Sequence, residues 1–259
     1  MATISRELRF ARGVALSIRG IRKTFARGLA RSIRRTAALS GVDLELLLGE
    51  TVVVTGPESS GKTTLLQCAA GLLRADSGEV VWFGERFDGG GLFPGVFYVP
   101  AVPVFYPFFT VRDVLAYRAE REVWKWERPG AAVDEALEAV GLTGRAADTV
   151  SLLTRAESKR LAIAEALAAR PRVILIDTCT VDMAPAISGI SCRALASFTS
   201  AGGSVLVATR DPSLLLSIAS RVVMLADGRV VSAHITRVAS AAETDVLPLM
   251  PRFVAEKLH

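Results

Sequence analysis

Three short apolar runs constrain the fold of this chain more than any other feature of its sequence. They are Val52–Val54, Val173–Ile176 and Val205–Ala208, and each is bounded by polar residues. A strand with one wet face alternates apolar and polar residues, so an uninterrupted apolar run indicates a strand buried on both faces. Such strands belong to parallel sheets that helices cover on both sides. The chain is therefore predicted to be an α/β protein.

Strand and helix patterns alternate along the rest of the chain. Runs bounded by glycine and polar residues predict strands at 14–18, 42–47, 51–55, 80–83, 96–99, 173–176, 204–208, 222–226 and 229–232. Helical periodicity predicts helices at 62–73, 110–121, 131–140, 157–169, 186–200 and 212–219. The closely spaced early strands predict a small antiparallel sheet ahead of the parallel core. The mostly helical stretch from about 102 to 169 is predicted to be an insertion.

Composition and charge exclude several classes of protein. Of the 259 residues 51% are hydrophobic and 22% charged, which excludes a disordered chain. Three scattered cysteines argue against a disulfide framework. The uncharged stretch 89–111 contains four prolines, which a membrane-spanning helix would not hold. Residues 1–40 carry ten basic residues and one acid. This segment could contact an anionic partner, or it could simply be a basic arm in solvent.

A glycine-rich motif lies between the strand predicted at 51–55 and the helix predicted at 62–73. Its residues are Gly56, Pro57, Glu58, Ser59, Ser60, Gly61, Lys62 and Thr63, which satisfy G-x-x-x-x-G-K-[ST]. In this context glycines let the backbone wrap around phosphates, and the N–H groups at the helix start point inward. Lys62 would then bridge the terminal phosphates, and the Thr63 hydroxyl would bind Mg²⁺. The sequence predicts nucleotide binding at this phosphate loop (residues 56–63).

Over about residues 14–232, the chain resembles the nucleotide-binding subunit of ABC transporters. The resemblance rests on the phosphate loop and on further landmarks in the family's order: Gly49-Glu50, Ala70-Gly71-Leu72, Ser77–Val80, Phe109–Leu115, Arg160–Leu167 and Asp227–Val231. It implies a RecA-like P-loop NTPase core, an antiparallel β lobe and an inserted helical subdomain. The expected cassette covers residues 1–235, followed by a tail at 236–259. A different P-loop enzyme, such as a small kinase or GTPase, is the remaining alternative.

The resemblance also implies ligands and partners. Phe25 lies where the family places an aromatic ring that stacks on adenine, and Asp177 where it places a carboxylate that holds Mg²⁺ through water. With ATP and Mg²⁺ as cofactors, the predicted binding residues are Phe25, Gly56, Pro57, Glu58, Ser59, Ser60, Gly61, Lys62, Thr63, Thr64 and Asp177, with Thr63 and Asp177 for the metal. The expected partners are transmembrane transporter subunits and a second ATPase subunit, identical or related, but no nucleic acid. The expected location is the cytoplasmic face of the membrane.

Four catalytic positions depart from the family pattern. Thr178 follows Asp177 where the family has a glutamate that polarises the attacking water. Arg210 replaces a histidine, and Ala101 and Ala184 replace a glutamine and an aspartate. A hydroxyl accepts protons poorly at neutral pH, and losing a positioned general base costs about 10²–10⁴ in rate. No residue of this chain is therefore assigned as catalytic.

The family's Leu-Ser-Gly-Gly-Gln signature is altered as well. Aligned back from Arg160, it becomes the signature segment Leu153–Glu157. Arg155 and Ala156 add Cβ atoms where glycines let the backbone approach a phosphate, and Glu157 adds a negative charge there. The sequence therefore favours an ATP-binding subunit that hydrolyses poorly or not at all. The alternatives are an active ATPase whose partner supplies the missing groups, and a soluble scaffold without a transport role.

Overall fold

A computed structural model describes residues 13–27, 34–121, 129–178 and 189–236 of the chain. Ten strands lie in this part of the chain: β1 (Val14–Arg27), β2 (Arg34–Leu47), β3 (Thr51–Thr55), β4 (Ser77–Trp82), β5 (Glu85–Phe87), β6 (Val96–Val99), β7 (Val173–Thr178), β8 (Ser204–Thr209), β9 (Arg221–Ala226) and β10 (Arg229–Ile235). Its five α-helices are α1 (Lys62–Ala70), α2 (Val111–Arg121), α3 (Pro129–Ala139), α4 (Arg155–Ala168) and α5 (Ile190–Ser200). The basic N-terminal residues 1–12 and the tail beyond 236 lie outside the described residues.

The central sheet has six strands in the order β10-β9-β3-β8-β7-β6, and all neighbours are parallel except β10 against β9. Its inner strands are buried on both faces, as the apolar runs predict. Val53, Ile174 and Val205 face one hydrophobic cluster, whereas Val52 and Leu175 face another. Because successive side chains of a strand point to opposite faces, one apolar run supplies both clusters.

A second sheet, in the order β2-β1-β4-β5, is antiparallel and packs on the far side of α1. The helix therefore lies between the two sheets, with Leu65 and Leu66 fully buried. The indole N–H of Trp82 on β4 donates to the carbonyl of Ala69 at 2.9 Å, so this sheet is also hydrogen-bonded to the helix. This arrangement confirms the predicted antiparallel lobe.

Helices α2, α3 and α4 pack on one another and form the helical lobe. Leu115, Leu137 and Leu161, one from each helix, are fully buried in the cluster that also contains Ile174 of β7. The helical stretch predicted at about 102–169 therefore shares its core with one face of the central sheet rather than having a separate core.

The structure corrects several predicted boundaries. Strands β1 and β2 pair as a hairpin, and each has 14 residues, more than twice the lengths predicted at 14–18 and 42–47. The strands are longer because β1 pairs with both β2 and β4, which holds even polar residues in extended backbone. The sequence patterns did not predict β5. Helix α1 ends at Ala70 instead of 73, since Gly71 takes a left-handed φ of 76° and caps it.

The prediction of a helix at 212–219 is wrong. Only Ser213–Leu215 form a single 3-10 turn, and residues 216–218 continue as turns. The N–H of Ser220 then donates to the carbonyl of Thr51 at 2.8 Å, which directs the chain into β9. The N–H groups of Leu215, Leu216 and Ile218 donate to carbonyls three residues earlier, the pattern of a 3-10 turn and not of an α-helix. The first residues of the helix predicted at 186–200 lie outside the described residues; α5 itself begins at Ile190.

Candidate functional site

The phosphate loop joins the carboxyl end of β3 to the start of α1, as predicted. Two of its glycines are required by their surroundings. Gly56 has a φ of 144°, and a Cβ there would lie 1.9 Å from the carbonyl oxygen of Leu225. Gly61 has a φ of 102°, and its Cβ would lie 2.3 Å from the carbonyl oxygen of Ala38. A side chain at either position would displace backbone, so the loop conformation depends on glycine.

Lys62 is buried although it carries a charge. Its ammonium donates hydrogen bonds to the carbonyls of Gly56 and Pro57, at 2.9 and 2.6 Å, and to the Ser60 hydroxyl at 3.0 Å. The lysine therefore lies inside the curve of the phosphate loop and holds its two sides together. A positive charge at the centre of a loop that precedes a helix favours an anion at the same place.

The hairpin turn between β9 and β10 supports the phosphate loop from outside. The N–H of Gly228 donates to the carbonyl of Ser60 at 3.1 Å, and the N–H of Ser40 on β2 donates to the carbonyl of Gly228 at 2.8 Å. One chain of hydrogen bonds thus connects the loop to both sheets. The sequence analysis names Asp227–Val231 as a family landmark but does not place it beside the loop, because nothing local in the sequence indicates that contact.

Asp177 lies at the carboxyl end of β7, at the same edge of the central sheet as the phosphate loop. It is fully buried, and the Tyr98 hydroxyl lies 3.5 Å from its Oδ2. Its backbone carbonyl accepts a hydrogen bond at 2.5 Å from Lys159, whose ammonium also donates to the carbonyl of Pro100. Lys159 on α4 therefore joins the helical lobe to the ends of β6 and β7.

Lys159 was missed by the sequence analysis, although a signal for it was present. It lies four residues before Ile163 and seven before Ala166, on the face of α4 that packs into the core. A lysine at an apolar position of an amphipathic helix is either extended to solvent or hydrogen-bonded inside. Lys159 has no solvent exposure, so it is the second case.

The two substituted positions nearest the loop have different environments. Thr178 is buried, and its hydroxyl donates to the carbonyl of Ala208 on β8 at 2.8 Å. Arg210, just beyond β8, extends to the phosphate loop, where its Nη1 lies 3.3 Å from Oε2 of Glu58. Its carbonyl accepts from the Thr55 hydroxyl at 3.4 Å. Thr178 is thus hydrogen-bonded within the central sheet, whereas Arg210 contacts the phosphate loop.

Phe25 lies near the outer end of the β1–β2 hairpin, opposite Thr36, and is 39% exposed. The phosphate loop touches the neighbouring strand of this hairpin at Ala38. Lys23 lies 5.8 Å from the Phe25 ring centroid and forms an ion pair with Asp76 at 2.9 Å. Phe25 is therefore an accessible ring on β1, which pairs with the strand that the loop approaches.

The signature segment forms a closed hydrogen-bonded cap at the start of α4. The Thr154 hydroxyl accepts from the N–H of Glu157 at 3.2 Å, while the Glu157 carboxylate accepts from the N–H and the hydroxyl of Thr154 at 2.9 and 2.8 Å. These hydrogen bonds lower the pKa of Glu157, with smaller contributions from Arg145 and Arg160. A carboxylate of this chain therefore lies at the helix start where the family pattern would expose glycine N–H groups. Ala184, the fourth substituted position, lies outside the described residues.

Comparison with known proteins places these features in a family. Residues 39–181 match the family model described as ABC transporter. The chain is 34% identical over 200 residues to a Fe(3+) ions import ATP-binding protein of Streptomyces avermitilis, covering 75% of this chain but only 57% of that relative. It is 32% identical over 234 residues to a phosphate import ATP-binding protein of Natronomonas pharaonis, covering 80% of this chain and 78% of the relative.

Solved structures agree on the fold. A dimeric post-hydrolysis state of the ATP-binding cassette MJ0796, bound to ADP and Pi, superposes with a TM-score of 0.73 at 23% identity. The superposition covers 86% of this chain and 99% of that one. Together with the family model and the relatives, it confirms the α/β cassette fold predicted from the sequence. The chain belongs to the ABC transporter family, within which its relatives are the ATP-binding proteins.

Proposed function

We propose that this chain is an ATP-binding subunit of an ABC transporter that binds Mg-ATP and hydrolyses it poorly or not at all. One observation carries the proposal. The phosphate loop has the geometry of an anion cradle around Lys62, while the hydroxyl at the position of the general base, Thr178, is buried and donates to a carbonyl of the sheet. Binding groups are present, and the group that would activate water is not.

The residues beside the loop fit a magnesium nucleotide. Gly56 and Gly61 let the loop take its tight conformation, since a Cβ at either position would meet backbone. Lys62 supplies positive charge, and the buried carboxylate of Asp177 lies at the same edge of the sheet. Thr63, in the first turn of α1, would provide the hydroxyl ligand for Mg²⁺, and Phe25 would stack on the base. When bound, Mg²⁺ would neutralise phosphate charge; the chain's own residues hold the nucleotide.

Pairing with a second ATPase subunit is the next part of the proposal. The relative MJ0796 is dimeric in its solved structure. In such a pair the signature segment would face the partner's nucleotide, and here Glu157 occupies the start of α4 with its own carboxylate. A negative charge there opposes a phosphate from the partner. The altered signature therefore supports a regulatory or structural subunit, in a homodimer or with an active relative.

A membrane subunit is proposed to dock on an exposed apolar patch that follows β6. Val104 is 88% exposed and Phe108 70%, and Tyr106 packs against Phe108 with ring centroids 5.8 Å apart. Contiguous exposed aromatic groups of this kind mark interaction surfaces. Among the described residues no helix is both long and apolar enough to cross a bilayer. The proposed location at the cytoplasmic face of the membrane depends on such a partner.

The test is equilibrium binding of Mg-ATP with turnover measured in the same samples. We expect binding that Lys62→Ala weakens at least about 10-fold, since buried charge-assisted contacts are lost, and turnover at background. Arg86→Ala serves as the control, because Arg86 is exposed on β5 and pairs with nearby Asp88. Brisk turnover that Lys62→Ala abolishes would contradict the loss of hydrolysis, and absence of binding would contradict the nucleotide site.

A second variant separates this proposal from an active ATPase that needs groups from its partner. Thr178→Glu combined with Arg210→His restores the two family residues nearest the phosphate loop. A positioned base contributes about 10²–10⁴ in rate. Turnover that rises by this factor in the isolated chain would mean that only these groups were missing. No rise, with binding retained, would place the defect in the signature segment as well.

A further inference from the structure

An ion pair joins the phosphate loop to the segment that follows β8. Oε2 of Glu58, in the middle of the loop, lies 3.3 Å from Nη1 of Arg210, in the segment that follows β8. The two residues are 152 positions apart in the chain. Glu58 is 82% exposed and Arg210 28%, so the carboxylate is on the solvent side and the guanidinium on the protein side. The pair therefore borders the phosphate loop with its acidic member open to solvent.

The backbone beneath Arg210 is held in place from two directions. Its carbonyl accepts from the Thr55 hydroxyl at the end of β3, at 3.4 Å. On either side of it, the Thr209 hydroxyl donates to the carbonyl of Asp211 at 3.0 Å and accepts from the N–H of Asp211 at 3.2 Å. The backbone of Arg210 is thus fixed relative to the loop. Its long side chain can still move from Glu58 to another anionic partner.

The negative charge of Glu58 is unfavourable in a loop that binds phosphate. The loop holds the Lys62 ammonium inside its curve and precedes the positive end of α1. Both features attract an anion, whereas the Glu58 carboxylate repels one. Its ion pair with Arg210 offsets that repulsion and at the same time engages the guanidinium. A phosphate bound at the loop and the Glu58 carboxylate therefore compete for one cation.

We propose that the Glu58–Arg210 pair sets the selectivity of the site for nucleoside triphosphates over diphosphates. The inference rests on the proposed nucleotide site. A guanidinium binds carboxylate and phosphate with the same fork geometry, so exchange between them needs only a side-chain movement. The terminal phosphate of a triphosphate competes with Glu58 for Arg210. A diphosphate lacks that group and leaves the pair intact.

The experiment compares binding of Mg-ADP with binding of the Mg complex of the non-hydrolysable β,γ-imido analogue of ATP. Selectivity is the ratio of the diphosphate Kd to the triphosphate Kd. We expect Glu58→Gln to raise this ratio roughly two- to five-fold, the effect of one exposed ion pair. Arg210→Ala should lower the ratio below the wild-type value and leave only the selectivity that Lys62 provides. Adding Glu58→Gln to Arg210→Ala should then leave the ratio unchanged.

Two controls keep the result interpretable. Asp88→Asn removes an exposed acid that pairs with Arg86 at 3.2 Å, and it should leave the ratio at the wild-type value. Arg210→Lys keeps the charge without the fork, and it should retain part of the selectivity. If circular dichroism shows that Arg210→Ala does not fold, the Kd ratio of Arg210→Lys tests the role of the guanidinium in its place.

The outcomes separate this inference from the proposed function. If Glu58→Gln strengthens both nucleotides equally, and does so in the Arg210→Ala background as well, Glu58 acts by repulsion alone and the inference is overturned. In that case binding that still depends on Lys62 leaves the proposed function standing. If the wild-type chain binds neither nucleotide, both the proposed function and the inference fail.

Discussion

At Gly61 in the phosphate loop, one backbone oxygen atom leaves no space for a side chain. This glycine combines a φ of 102° with a backbone oxygen, from Ala38, only 2.3 Å from where a Cβ would lie. Gly84 shares the left-handed conformation, with a φ of 88°, but has nothing within 4 Å of the same point. The two positions therefore differ in steric space and not in backbone strain.

Replacing each glycine by alanine tests this difference. We expect Gly84→Ala to lower the free energy of unfolding by about 1–2 kcal/mol, the cost of a left-handed alanine. Gly61→Ala should cost about 2–4 kcal/mol, because the strand or the loop must also move. Urea denaturation of the two variants measures both values. Equal losses would show that the loop yields at Gly61 without cost.

Helix α4 depends on the cap that the signature segment forms at its start. The Thr154–Glu157 cap satisfies N–H groups that the helix itself leaves without partners. Hydrogen bonds from Thr154 lower the pKa of Glu157 below its ordinary value of 4.5. A carboxyl whose pKa is lower in the folded state stabilises that state above its unfolded pKa, and the contribution is lost as the pH falls through the folded pKa.

This linkage predicts a pH dependence for α4. Compared with Glu157→Gln, the wild-type chain should be more stable at pH 6, and the difference should shrink as the pH is lowered below about 4.5. Thr154→Ala should cost about 1 kcal/mol at pH 6, a usual value for a lost cap, and should reduce the same pH dependence. Chemical denaturation at a series of pH values provides the measurement. A stability difference independent of pH would contradict the cap as the source.

The two sheets are joined by a buried ion pair at the end opposite the phosphate loop. Arg221 of β9 donates to Glu50, just before β3, through Nε at 3.1 Å and Nη2 at 3.2 Å, and also to the carbonyl of Glu45 on β2. The N–H of Leu47 donates to the same Glu50 carboxylate at 2.8 Å. Both charged side chains are buried, so each depends on the other for its hydrogen bonds.

Removing one member of this pair leaves an uncompensated buried charge. We expect Arg221→Met to lower the free energy of unfolding by about 3–5 kcal/mol. Arg19→Met, which removes the exposed pair with Glu79, should cost less than about 1 kcal/mol. Thermal or urea unfolding of both variants makes the comparison. A similar small loss in both would mean that the buried pair contributes little to holding the two sheets together.

Local sequence patterns anticipated much of this molecule. Strands β3 and β6 have the predicted bounds of 51–55 and 96–99, and the core strands are buried on both faces. Periodicity and turn residues act over a few positions, so they identify strands, helices and the phosphate loop from the chain alone. The interpretation of Thr178 and Arg210 as departures from the family's catalytic pattern comes from motif position and stays a prediction.

Other features depended on packing between distant parts of the chain. The length of the β1–β2 hairpin comes from strand pairing, which holds polar residues in extended backbone against their local preference. The Glu58–Arg210 and Glu50–Arg221 pairs join residues 152 and 171 positions apart. No pattern within a short window specifies such contacts. The sequence thus determined the elements and the chemistry of the loop, whereas tertiary packing decided which charges meet, since that depends on how the elements are arranged in space.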